Sequence, residues 1–422
     1  PVPTDIMSIR PGRLPAAPRA AVEGVVAVTR GCMTSRSISL QGRPGLSLHH
    51  CLSLLLLLSF SMVLHATVLP EDRADLMYHR YDGGGVEVDG PSILVRKSFG
   101  GNISLNANYY VDSISSASVD VVSTASPYTE ERTESTLAMD YLHNKTLMSL
   151  ALTQSDESDY QAETGSFSIS HDMFGDLTTV SLGYAVGNDD ISRNGDNDFG
   201  ASIKRQNYRI GLSQVLTKES ILGIDFETIT DEGFLNNPYR SYRFLDPLSA
   251  NGYGLQPERY PQTRTSNAVA MRLKYFLPYR AALSGEYRYF NDTWGIDAHN
   301  LEFGYTHPLQ QDWVIDVRYR YYTQSAADFY SDLFSRQNEQ NFLARDKELS
   351  TFQSHTLGLM VSYEFNTERW QFIDNGSLNL SVDLIRFEYD DFRDITDGGV
   401  AGEEPLYSFT ANVIKAFVSV WY

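Results

Sequence analysis

Two cysteines are all that this 422-residue chain contains, Cys32 and Cys51, and both precede its first regular apolar pattern. A mature protein cut beyond them has no disulfide, no thiolate metal ligand and no thiol nucleophile. Basic residues are also scarce. The 34 Lys and Arg stand against 53 Asp and Glu, a net charge of −19, which argues against nucleic acid or anionic lipid as the main partner. Long apolar runs are missing as well. The longest, Leu52–Leu64, falls short of the roughly 20 residues that a helix needs to cross a bilayer, and nothing after it comes closer.

That short run has a meaning of its own. Arg36 and Arg43 precede it and the small Ala66 follows His65, the basic, apolar and small-residue order of a secretory signal. The alternative, a transmembrane helix, is too short. Residues 1–66 are therefore expected to be an upstream extension plus a cleaved signal, and residues 67–422 a single domain. A start at Met33 would give a signal of ordinary length, leaving Pro1–Cys32 as upstream sequence. Cys51 lies before the apolar run, not after it, so it is not a lipid-attachment cysteine. Cutting after Ala66 removes six arginines and two acids, and leaves 356 residues with a net charge of about −23.

What the whole chain has in quantity is aromatic, 26 Tyr, 21 Phe and 4 Trp, of which only Phe60 precedes the cut. It also alternates. Ile103, Leu105, Ala107, Tyr109 and Val111 are interleaved with polar residues; so are Val269, Met271, Leu273 and Tyr275, then Trp313, Ile315, Val317, Tyr319 and Tyr321, then Leu357, Leu359, Val361, Tyr363 and Phe365. Period two is a strand with one apolar face. The apolar faces end near turns in Tyr141, Phe174, Tyr275, Tyr305, Phe365 and Tyr422, as aromatic girdles do.

Connections alternate between tight and long. The tight ones are Gly100-Gly101-Asn102, His143-Asn144-Lys145, Asp172–Gly175, Val215–Glu219, Leu277–Arg280, Pro308–Asp312 and a looser Asn366–Gly376. The long ones are 82–90, 113–134, 155–160, 188–200, 231–264, 291–296, 325–349 and 391–407. Fifteen connections join sixteen strands, the first near Asp75–Tyr81. The fold class expected is all-β: an antiparallel transmembrane β-barrel of about 16 strands, with long extracellular loops and short periplasmic turns. Only a closed barrel satisfies every backbone group in lipid without helices. One strand breaks parity: Leu380, Val382 and Leu384 share a face with Arg386 and Glu388, which reads as a β-bulge at Leu384-Ile385.

The polar face then lines a lumen. Folding back about three tight turns sets Arg209 opposite Asp225, Arg272 opposite Glu286 and Glu302 opposite Arg318. Glu227, Lys274, Arg288, Asp316 and Arg320 belong on the same wall. These charges form either a ladder that filters polar solutes or a self-neutralising lining that braces the sheet by about 0.2–1 kcal/mol per pair. Acidic stretches at Asn188-Asp189-Asp190, Asp196-Asn197-Asp198 and Asp390–Asp397 raise a calcium site against ordinary acidic loops, and no segment fits the twelve-residue calcium loop. The histidines at 79, 143, 171, 299, 307 and 355 are scattered, without a metal-binding spacing, so neither a cofactor nor an enzyme site is expected. The loops 231–264 and 325–349 exceed plain connectors and are free to fold into the lumen as a constriction or to present a surface outside.

The chain closes on Ile414, Ala416, Val418, Val420 and Tyr422 along one face. This looks like the C-terminal strand signal read by the barrel-assembly machinery, with Lys415 at its polar position and Phe417 where Gly is usual.

Several strings resemble an outer-membrane family known as domain of unknown function 3570. They are Leu69–Asp75, Tyr109–Asp112, Ala125–Tyr128 with Glu131-Arg132, Gly187 with Arg193–Gly195, Thr230–Arg240, Arg264–Ala268, Tyr319–Tyr330 and Phe342–Ser350, spread over essentially the whole mature chain. The resemblance implies an integral protein of the bacterial outer membrane with no agreed activity. Its members' neighbourhood of small lipoproteins, thioredoxin-like proteins and flavin-attaching enzymes implies a lipoprotein or periplasmic redox partner, although this chain has no cysteine or haem motif for such chemistry. Two functions are carried forward: a channel or transporter for small polar or charged solutes, and a barrel, monomeric or weakly trimeric, that docks such a partner. A barrel-embedded hydrolase is a minor third.

Overall fold

The computed structural model describes residues 68–116, 128–366 and 372–422. The expected signal, its cut site and both cysteines lie outside the described residues, as do the centre of the 113–134 connection, with most of the Ala125–Tyr128 string, and much of the Asn366–Gly376 turn.

Strands follow one another from the start: β1 (Arg73–Gly83), β2 (Val86–Phe99), β3 (Ile103–Ser116), β4 (Tyr128–His143), β5 (Thr146–Asp156), β6 (Tyr160–Met173), β7 (Thr178–Arg193), β8 (Asp196–Val215) and β9 (Ser220–Gly233). A small hairpin comes next, β10 (Ser241–Leu245) with β11 (Tyr253–Pro257). The chain returns to long strands with β12 (Thr263–Phe276), β13 (Ala282–Asp292), β14 (Asp297–Leu309), β15 (Trp313–Gln324), β16 (Phe352–Asn366), β17 (Asn375–Arg393) and β18 (Leu406–Trp421). All but the hairpin form one closed antiparallel ring, sealed where Arg73–Gly83 pairs with Ala411–Trp421. The count is sixteen strands.

The ring is turned inside out relative to a soluble protein. Val269, Met271, Leu273 and Tyr275 of β12 are 43–51% exposed on the outside. Between them Arg272 turns inward to Asp225 and Glu286. Outward Leu357 and Leu359 on β16, and Leu378 and Leu380 on β17, continue the apolar belt. Aromatic pairs edge it, Trp313 against Tyr363 at one rim and Tyr319 with Tyr321 about His355 at the other. Apolar surface of this extent is stable only against lipid.

Three expectations need correction. Residues 82–90 and 188–200 are not long loops: β1 turns into β2 through Gly84-Gly85, and β7 into β8 through Asn194-Gly195. A strand crosses lipid in about 9–11 residues, whereas β8 has 20 and β17 has 19. The strands therefore rise beyond the membrane, where the outer face meets water and apolar alternation no longer marks it. The same boundary explains the parity break in β17. Its register against β16 runs unbroken through Leu384↔Leu357 and Ile385↔Thr356, and the irregularity against β18 comes later, between Glu388 and Arg393. Arg386 and Glu388 stay on the outer face above the belt, 3.5 Å apart and half exposed; Arg80 and Glu87 form a similar pair at 2.7 Å. Ile385, Phe387 and Tyr389 point inward. Finally, two hairpins are shifted by two residues. Arg209 stands opposite Glu227, not Asp225, and Glu302 opposite Arg320, not Arg318, while Arg272↔Glu286 is as expected. The turn residues Thr217–Glu219 and Gln310–Asp312 place the hairpin axis one position later, and a shift of two leaves every side chain on its face.

Candidate functional site: a capped chamber in the lumen

The inner wall is built from cross-strand charges. Glu227 on β9 accepts from Arg209 at 2.9 Å and from Arg288 at 3.1 Å. Arg272 spans Asp225 and Glu286, the latter at 2.6 Å. Arg318 meets Asp383 at 2.5 Å, and Thr306 donates to Asp316 at 2.5 Å. Glu302 lies beside Arg320 in the register, and Lys274 shares the face of Arg272 on β12. Glycines make room for this lining. A Cβ on Gly358 would come within 2.4 Å of the Asp383 carboxylate and 2.7 Å of Arg318. Asp383 falls between Val382 and Leu384, so alternation puts it on the inner face, but nothing in the sequence singles it out as a partner of Arg318.

Asp189, part of an acidic stretch considered for calcium, is instead an inward residue of β7, held by Arg205 at 3.0 Å and by Tyr160. On the opposite wall His79 meets Asp112 at 2.8 Å and Tyr110 at 2.9 Å.

Three loops close the extracellular mouth: 234–262, 325–351 and 394–405. They fold on one another as a small core would. Tyr260, Trp294, Phe329, Ala344 and Leu349 are buried together, and Tyr242, Phe334 and Leu343 form a second cluster. Isolated bridges Phe244↔Phe334 and Arg259↔Leu343 stitch the first loop to the second. At the centre Arg243, 0% exposed, reaches the Glu404 carboxylate at 2.5 Å, the Asp332 carbonyl at 2.8 Å and the Asp332 carboxylate. Arg345 takes the other Asp332 oxygen at 3.1 Å and lies over the Phe392 ring. Arg240 pairs with Asp346.

Burial pushes the Glu404 carboxyl up, but the hydrogen bond from Arg243 and those from backbone amides outweigh it and hold the group below its ordinary value. Burial likewise opposes the Arg243 charge, and its two carboxylate partners more than restore it. Burial, then the neighbouring Glu258, drive the Tyr260 hydroxyl well up. The first loop also reaches back over the strands preceding β9, where the Tyr239 hydroxyl donates to Asp159 at 2.5 Å and accepts from the Asn194 amide at 2.8 Å. None of these contacts is local, and no pattern in the sequence announces them.

Beneath the cap lies a chamber of about 700 Å³. Asn236–Arg240 and Asp346–Leu349 form part of its lining from the cap, and it descends to Arg288, Asp383 and Lys415. One side is aromatic: Phe352, Phe387, Tyr389 and Phe409 face it, with Phe387 stacked on Phe409 at 4.6 Å. Arg205, Arg264 and Arg320 also line the chamber, among the carboxylates of Asp159, Asp231 and Asp346. Of the residues named from sequence, Arg288 and Arg320 reach this chamber, while Arg209, Asp225, Glu227, Arg272, Lys274, Glu286, Glu302, Asp316 and Arg318 lie outside its lining.

A family description, "Protein of unknown function (DUF3570)", matches residues 118–209 and 202–389, most of the barrel and all but the last part of the cap. The chain belongs to this family. The match leaves out β1, β2, β3 and β18, although the resembling strings begin at Leu69. No curated protein matches the chain. Similar solved structures include a bacterial polysaccharide outer membrane secretin, at 7% identity and a TM-score of 0.46, covering 84% of this chain and 100% of that one. OmpT, an outer membrane protein of Vibrio cholerae, is similar at 9% identity and a TM-score of 0.39, covering 85% and 100%. The outer membrane protein opdK of Pseudomonas aeruginosa follows at 8% and 0.38, covering 84% and 100%. At these levels they add nothing to what the barrel itself establishes. This family member is an integral β-barrel of the bacterial outer membrane, apolar towards lipid and charged within.

Proposed function

We propose that this barrel is a gated passage, a channel or transporter for small polar or charged solutes, with the three-loop cap as its gate. The observation that carries the reading is the chamber: a cavity of ligand size inside a sixteen-stranded ring wide enough to leave an aqueous path, covered on the outer side by loops packed on one another. The paired charges below serve as its polar wall. Conductance in planar bilayers tests it. The wild-type barrel is expected to conduct little, and the double variant Arg243→Ala, Glu404→Ala, which removes both sides of the central ion pair, to conduct several-fold more. If neither passes ions, passage is wrong.

The closed mouth favours a second reading, a barrel that docks a lipoprotein or an exported redox protein, and a partner co-purifying from outer membranes with a non-conducting barrel would establish it. We assign no catalytic step. The His79–Asp112 pair is met by the Tyr110 phenol, not by a serine hydroxyl, which leaves a barrel-embedded hydrolase as the minor reading.

A further inference from the structure

The chamber has a chemistry more specific than polar or charged. The five carboxylates that line it are already engaged: Asp383 by Arg318 at 2.5 Å, Asp231 by Arg205 at 3.8 Å, Asp346 and, at 4.0 Å, Glu348 by Arg240, and Asp159 by the Tyr239 hydroxyl. Arg320 is different. Its guanidinium donates to the Asn300 side chain and lies 5.7 Å from the Tyr322 ring centre. Among the described residues it has no carboxylate within ion-pair distance, although Glu302 is its register neighbour. Asn300 and Tyr322 also face the chamber. A guanidinium held through its Nε by a neutral amide and lying over an aromatic ring keeps its remaining donors available for a planar, bidentate acceptor.

The register shows what stands beside it. Arg320 is opposite Thr356, and Thr356 opposite Ile385. One step up, Tyr322 leads through Ser354 to Phe387 and on to Phe409. The stacked Phe387–Phe409 pair thus begins two strands away, roughly 10 Å at about 4.8 Å per strand. That separation suits a flat ring system with a carboxylate at one end.

We propose that the chamber is a binding site for small aromatic carboxylates. Arg320 takes the carboxylate, and Phe387 and Phe409 take the ring. The inference deepens the passage reading, which it needs only for the ligand's route in and out, so binding and conductance are separate measurements.

The test is equilibrium binding of 1-naphthoate to the full barrel in detergent micelles, followed by probe fluorescence, with naphthalene-1-methanol and 1-naphthylmethylammonium as neutral and cationic counterparts. Saturable binding is expected for the carboxylate, weaker by at least tenfold for the alcohol and absent for the cation. Arg320→Gln should lose tenfold or more, Arg320→Lys less, and Phe409→Ala several-fold. Retained heat-modifiable migration on gels shows that each variant is a folded barrel. Arg386→Gln, on the outer face of the barrel, serves as the charge-matched control and should bind as wild type. Absence of saturable 1-naphthoate binding, equal binding of the alcohol, or an Arg320→Gln loss no larger than that of Arg386→Gln overturns the site. Conductance without binding removes this inference alone; binding without conductance keeps the site and removes passage.

Discussion

The lumen wall depends on residues too small to be noticed. Gly358 occupies an inward position of β16 where any Cβ would press on the Arg318–Asp383 pair. Asp383 is nearly buried, so losing Arg318 would strand a charge. Gly358→Ala is therefore expected to destabilise the barrel by about 1–3 kcal/mol, as overpacking does, in urea unfolding from lipid vesicles. Gly183→Ala is the contrast: its Cβ would meet the Arg209 Cβ at an ordinary 3.5 Å, and it should change little. This balance between glycine and arginine is only half visible from sequence. Alternation assigns Arg318 and Arg272 to the inner face, but nothing local assigns their partners. Arg318 was matched with Glu302 from the turn, whereas its carboxylate is Asp383, 65 positions away.

At the scale of elements, the cap is where charge and burial meet. The Glu404 carboxyl lies below its usual 4.5 in the folded protein. A depressed acid stabilises the fold fully above its unfolded value and loses that contribution as pH falls through the lower, folded value. The cap should thus hold from neutral pH down to about pH 4.5 and loosen on further acidification. Fluorescence of Trp294, packed under the cap against Tyr260 and Phe329, reports it. Glu404→Gln removes one charge partner of a buried arginine, a loss worth about 3–5 kcal/mol. The variant cap should be loose already at neutral pH, with little further change at pH 4. An unchanged acid transition in the variant would assign it to another group. The strands that carry the cap were legible from sequence because each has its own period of two. The cap was not, since its order comes from contacts such as Arg243–Asp332 that join separate loops.

For the whole molecule, the question is where the membrane begins and ends. Leu380 and Arg386 sit on the same outer face of β17, three strand repeats apart. Lipid should cover the first and water the second. In vesicles, Arg386→Cys is expected to react readily with a water-soluble maleimide, and Leu380→Cys slowly, measured against the unsubstituted chain as blank. Equal rates would mean that the belt extends to the rim and that the parity break has another cause. The two misassigned loops, 82–90 and 188–200, have this same origin. A strand that leaves lipid keeps its backbone pairing but exchanges its outer apolar residues for Arg80, Glu87, Asp190 or Lys204, and composition then imitates a loop.

The central arginine of the cap is 161 positions from Glu404, with barrel strands β12 to β17 intervening, and 89 from Asp332, with β12 to β15 intervening. Closing a contact over so long a stretch of chain is entropically costly until the intervening strands are in place. The vault over the chamber is therefore the last part of the edifice to set, its keystone dropping in only once the surrounding masonry stands, and a half-built barrel remains open to the sky.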